Sequence, residues 1–250
     1  MRVLSLLPML LTGVLSAQTG FTTYVPHLAD GGSWTTLFTI VNLSDNNPGT
    51  GTLKFHGEDG SPLTIPLTGT SGTVSQVPIN LPPNASMVVE TAGSGAATRQ
   101  GWVELNDQSV PSALSLTAVF HNHVPNYPDL EASVFGLPVA TKAFAFAYDN
   151  SPGYSTAIAM INSSSLFTGV VTVTVRDDAG KLLVTENISL PVGQHLAFSV
   201  PARYPGTAGK RGTVLLTPDL LVWLNALAFR FTPLGPFPTS PFTTLPPIVK

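Results

Sequence analysis

The stretch WTTLFTIVNLS (34–44) returns 120 positions later as YSTAIAMINSS (154–164), and this repetition constrains the chain more than any other feature. Laid without a gap, residues 22–63 fall on 142–183. Thr36 meets Thr156, Asn42 meets Asn162, Ser44 meets Ser164 and Gly60 meets Gly180. Trp34 faces Tyr154, Phe38 faces Ile158 and Phe55 faces Val175, so apolar and turn positions coincide even where identities are few. After Leu63 the first copy carries an extra Thr/Gly/Ser stretch around TGTSGTVS. The match resumes with INLPPNASM against ISLPVGQHL, then Gly101 against Gly212 and Phe120 against Phe231. LPVATK ends the first copy and LPPIVK ends the chain. A period of this length is too long for a solenoid unit and is the size of a whole domain.

Within each copy apolar residues alternate with polar or small ones. Trp34, Thr36, Phe38 and Ile40 share one face and Thr35, Leu37, Thr39 and Val41 the other, the period of a β-strand. LKFHGEDGSPLTI and VTVRDDAGKLLVT each read as strand, tight turn, strand, with Gly60 and Gly180 supplying the positive φ of the turn. With 22 Gly, 23 Pro and abundant Thr and Ser, the chain has the composition of an all-β protein. The reading is all-β: two tandem antiparallel immunoglobulin-like β-sandwiches related by internal duplication, domain 1 over 21–141 and domain 2 over 142–250. The segment HNHVPNYPDLEASVFG is expected to cross between sheets or domains. The Pro-rich end of the chain is expected to lie extended as a final edge strand.

Met1-Arg2, the apolar run Val3–Leu15 and the small residues Ser16-Ala17 have the layout of a secretory signal peptide over 1–17. The expectation is a secreted, cell-surface or periplasmic protein with no membrane span after cleavage. The chain has no cysteine, which excludes thiol nucleophiles, Cys-ligated zinc and disulfides. Eleven basic residues against 14 acidic ones give no basic patch, and nucleic acid is not an expected partner. The sequence identifies no partner, a cell-envelope protein and a glycan being the two kinds considered, and no cofactor is implied.

LADGGSWTTLFTIVN, the DDAGK hairpin, SLPVGQHLAFSV, PGTAGKRGTVLL and the terminal FRFTPLGPFPTSPFTTLPP carry a resemblance. Behind a signal peptide, this series resembles a group of uncharacterised secreted bacterial proteins of acidobacterial type with tandem immunoglobulin-like β-sandwich repeats. The resemblance implies fold and export. It assigns no activity and no site residues.

Chemistry-bearing residues are few. The carboxylate pairs Glu58-Asp59 and Asp177-Asp178 fall at equivalent hairpin turns, where Asp and Gly are what the turn selects. Asn42 and Asn162 fit the N-x-S sequon, as do Asn84 and Asn187. Recurrence of the first two at one place in both copies points to an Asx-turn. His121 and His123 have i, i+2 spacing on a strand, and Glu131 follows, a weak metal-ligand set without a counterpart in the second copy. Trp102, Trp223 and Tyr127 are candidates for a sugar-stacking platform. The sequence thus leads to a non-enzymatic structural or protein-interaction module, with carbohydrate binding through exposed aromatics as the alternative.

Overall fold

A computed structural model describes residues 21–138, 142–233 and 240–249; the signal-peptide reading lies outside them. The first half contains β1 (Phe21–Asp30), β2 (Trp34–Asn42), β3 (Gly49–Gly57), β4 (Gln76–Leu81) and β5 (Ser86–Glu90). It continues with β6 (Arg99–Asp107), β7 (Leu114–Asn122), β8 (Leu130–Phe135) and β9 (Leu137–Pro138). The second half contains β10 (Phe144–Asp149), β11 (Ser155–Asn162), β12 (Gly169–Asp177), β13 (Leu182–Leu190) and β14 (His195–Ser199). After a short helix, Val200–Arg203, come β15 (Arg211–Pro218), β16 (Leu224–Phe231), β17 (Phe242–Leu245) and β18 (Ile248–Val249).

Each half is a sandwich of two open antiparallel sheets. The first has the orders β9-β1-β6-β3-β4 and β8-β7-β2-β5; the second has β18-β10-β15-β12-β13 and β17-β16-β11-β14. Every strand of the second half therefore stands where the strand nine places earlier stands in the first. The immunoglobulin order puts strands A, B, E and D in one sheet and C, F and G in the other. Here β1 pairs with β6, β2 with β5 and β3 with β4, a nested arrangement that alternates between the sheets. The sandwich class holds, with a strand order other than the immunoglobulin one.

Alternation explains the cores. Phe38, Ile40, Leu53, Phe55, Val103, Leu105 and Phe120 point inward in the first half. Phe144, Phe146, Ile158, Met160, Val173, Val175, Val214 and Leu216 do so in the second. The matched Thr36 and Thr156 are fully buried and make the same bonds: each hydroxyl donates to, and accepts from, the backbone of the preceding strand, at Ala29 and at Asp149. Gly101 and Gly212 sit mid-strand where a Cβ would lie 2.0 Å from the His56 carbonyl oxygen and 1.9 Å from that of Arg176. The two glycines are thus required by the same close approach of neighbouring strands.

The structure corrects the sequence alignment in four places. A β-bulge between Val25 and Leu28 adds one residue to β1, so the ungapped match begins at Leu28. Thr36 is opposite Phe120 and Thr156 is opposite Arg230, so Phe120 corresponds to Arg230 and not to Phe231. A one-residue slip exchanges the two faces of a strand. VTVRDDAGKLLVT is a full hairpin of β12 and β13, whereas its counterpart closes with a single bridge, His56 to Pro62. There the inserted stretch forms a two-stranded arm, Ile65–Pro66 with Thr73–Val74, before β4 resumes the sheet. Finally, the segment after β7 turns back as β8 before crossing to the opposite sheet as β9. Phe242–Leu245 is an edge strand beside β16, as expected of the tail.

Candidate functional site

The halves meet where the outer face of the β17-β16-β11-β14 sheet lies against the β1 side of the first sandwich. Strands β1, β11 and β16 are consequently buried on both faces over most of their length. Trp102 lies at this junction, 4% exposed, in a cluster with Tyr24 and Ile161. Its indole stacks on the His56 ring at 3.9 Å and 9°, and its Nε1 donates to the Gly193 carbonyl at 2.8 Å. Beside it the His195 backbone N–H donates to the Glu58 carbonyl at 2.8 Å. Gly60 faces Gly193 so closely that a Cβ on Gly60 would lie 2.8 Å from the Gly193 oxygen. Phe120 meets Phe229 edge-on at 5.0 Å and Trp34 meets Phe242 at 5.0 Å, so apolar residues of the second half join the first core.

His27 Nδ1 and His195 Nε2 lie 3.1 Å apart across the junction, their rings stacked at 5.2 Å. Burial, with His195 adding to it, pushes His27 down to about 3; burial alone pushes His195 down to about 4. Both are neutral near pH 7, and one ring donates to the other. A cleft of about 310 Å³ remains beside them, lined by His27, Gln100, Ser199 and Phe229 among others.

Trp102 therefore has no face open to a sugar. Trp223 is half-buried; its backbone carbonyl accepts from the Ser163 N–H at 2.9 Å. Tyr127 is 42% exposed on the turn that precedes β8. His121 lies between Glu90 and Glu131, each 3.7 Å from one ring nitrogen, and His123 Nδ1 is 2.8 Å from Asp129. Among the described residues no three His, Asp or Glu side chains gather closely enough to hold a metal. In the two carboxylate pairs, Asp59 accepts from the Ser61 backbone and Asp177 from those of Ala179 and Lys181, the bonds of turns.

Asn42 and Asn162 are fully buried Asx-turn residues. Each Oδ1 accepts from the N–H two residues on, and each Nδ2 donates to backbone carbonyls of neighbouring loops. Their amides are consumed by the fold.

Sequence reasoning did not single out two surface features. In the second half an opening of about 580 Å³ is lined by Tyr148, Asp149, Asp177, Asp178, Arg211 and Arg230 among others. Asp149 joins Arg211 at 3.2 Å and Arg230 at 2.9 Å. Partial burial pushes the Asp149 carboxyl up, but hydrogen bonds from Ser151 and Arg230 outweigh it and hold the group well below the usual range. The other feature is apolar. Loops 163–168 and 219–223 are joined at Ser163, whose backbone N–H and hydroxyl donate to the Trp223 carbonyl, and expose Leu166 (70%), Phe167, Leu220 (96%) and Leu221. Both features were hidden by spacing: each gathers residues more than 30 positions apart.

The chain matches no protein-family model, and comparison with curated proteins and with solved structures returned no match.

Proposed function

We propose that the chain is an exported, non-enzymatic protein acting as a structural or protein-interaction module at the cell surface or outside the cell, its halves derived from one duplicated sandwich. The observation that carries this is the apolar loop tip: four large side chains, Leu166, Phe167, Leu220 and Leu221, stand in solvent on adjoining loops. Folding does not require exposed leucines, and a contiguous apolar patch is the usual mark of a contact surface. Loops on a rigid sandwich are also where such proteins carry recognition. The layout of residues 1–17 and the resemblance to secreted bacterial proteins support export.

The test is capture of envelope proteins by the purified chain, run beside a glycan array, for wild type and for Leu220→Asp with Leu221→Asp. Wild type should retain specific proteins, and the double variant should lose at least about tenfold of that capture, the scale of a small hot spot. Glycan binding that disappears in Trp223→Ala, with protein capture unchanged in the double variant, would replace this reading with carbohydrate recognition.

A further inference from the structure

The two halves are built alike, yet each uses a different face at their junction. The first half contributes the β1 side, with Tyr24, His27, Gln100 and Trp102; the second contributes the outer face of its β17-β16-β11-β14 sheet. The same two faces exist a second time, their described side chains half-buried or exposed; β17 meets the first of them at its β8 edge, where the Thr244 hydroxyl donates to the Ser133 carbonyl. The outer face of the β8-β7-β2-β5 sheet is open on the first half, and the β10 side is open on the second. From this the geometry points to head-to-tail self-association, in which the open sheet face of one copy docks on the β10 side of the next. The proposal rests on the interaction-module reading and names the partner as a second copy of this chain.

Equivalent positions show what would meet. On the sheet face Ala157, Ala159, Ile161, Ala197 and Phe229 of the second half correspond to Leu37, Thr39, Val41, Val88 and Val119 of the first. The open face is more polar than its counterpart, carrying Thr35, Thr117, Glu90, His121 and Glu131 beside Leu37, Val41 and Val119, and it leaves Val88 58% and Phe135 77% exposed. Phe135, Thr117, Thr39 and Val88 form one row across four strands. Threonine and valine rows make a flat surface that a second protein can cover.

Charge fixes the register. Ser199 and Gln100 both line the junction cleft inside the chain. Ser199, opposite Ala157, corresponds to Glu90, opposite Leu37; Gln100, opposite Ala29, corresponds to Arg211, opposite Asp149. Two neutral residues of the cleft thus become a carboxylate and a guanidinium where two molecules would meet, the guanidinium already sharing Asp149 at 3.2 Å. Arg211 is 63% exposed in its side chain and Glu90 is 30% exposed, so both can be reached. Opposite charges at matching places set orientation and exclude other registers.

The contact is weaker than its internal template. Tyr24 and Trp102 anchor the junction, and their counterparts on the β10 side are Ala145 and Thr213. Without those rings association is reversible and salt-sensitive. Since the two faces differ, the contact is heterologous and builds a row or a ring rather than a closed pair.

Sedimentation velocity of the mature chain from about 1 µM to about 1 mM, the range that populates weak contacts, tests this. Average mass should rise with concentration. Glu90→Arg or Arg211→Glu alone should lower the association constant at least about tenfold, as expected for opposing a buried like-charge pair. The two reversals in one chain, or an equimolar mixture of the single variants, should restore it. A monomer across the whole range, or association indifferent to both reversals, would overturn the proposal. Envelope-protein capture that persists in such a monomer leaves the interaction-module reading standing, so the two failures are distinguishable.

Discussion

Asn162 makes the case at the scale of a residue. Its Nδ2 donates to the carbonyls of Phe167 at 2.8 Å and Leu190 at 3.0 Å, while its Oδ1 accepts from Ser164 and Trp223. One side chain closes the end of β11, the following loop and the end of β13. Asn162→Ala should lower stability by about 1–3 kcal/mol, the cost of leaving buried carbonyls unmet. Urea unfolding measures it; the exposed Asn187→Ala should stay within about 0.5 kcal/mol. A loss no larger than that of Asn187→Ala would show the turn to be dispensable. This residue was legible in the sequence because its bonds are local and occur twice. Trp102 was not: the carbonyl it bonds lies 91 positions away, on a surface that only the fold creates. Its replacement by threonine in the second half was the one available sign, and burial by the neighbouring half explains it.

At the scale of strands, period-two alternation and turn glycines revealed the elements, and local rules missed where register changes. The bulge at Val25–Leu28 leaves no mark in alternation, since His27 simply becomes an extra residue facing the other half. The same limit produced the slip that paired Phe120 with Phe231: both are aromatic, but β16 presents Arg230 to its own core and Phe231 to the junction. Gly101 and Gly212 were matched correctly because their cause is strand geometry common to both halves. Gly101→Ala should destabilise by at least about 1–3 kcal/mol, since its Cβ would press on the His56 carbonyl and backbone must move. Gly206→Ala, whose Cβ meets nothing within 4 Å, should be neutral or slightly stabilising. Equal effects at the two sites, read from thermal midpoints, would contradict that assignment.

At the scale of the whole molecule, two sandwiches of one strand order are locked into one unit by burying unlike faces. Trp102, Tyr24, Phe120 and Phe229 supply the apolar contact, and His27 and His195 meet within it as neutral rings. The sequence made the tandem sandwiches visible. It did not reveal which faces they bury, because that depends on residues without counterparts in the repeat. Shared core contacts should make unfolding of one half depend on the other. Calorimetry of wild type and Trp102→Ala at pH 7 tests the claim most directly. Wild type should show a single cooperative transition and the variant two resolved ones, as each half then melts at its own temperature. Two independent transitions in wild type, unchanged by Trp102→Ala, would contradict it.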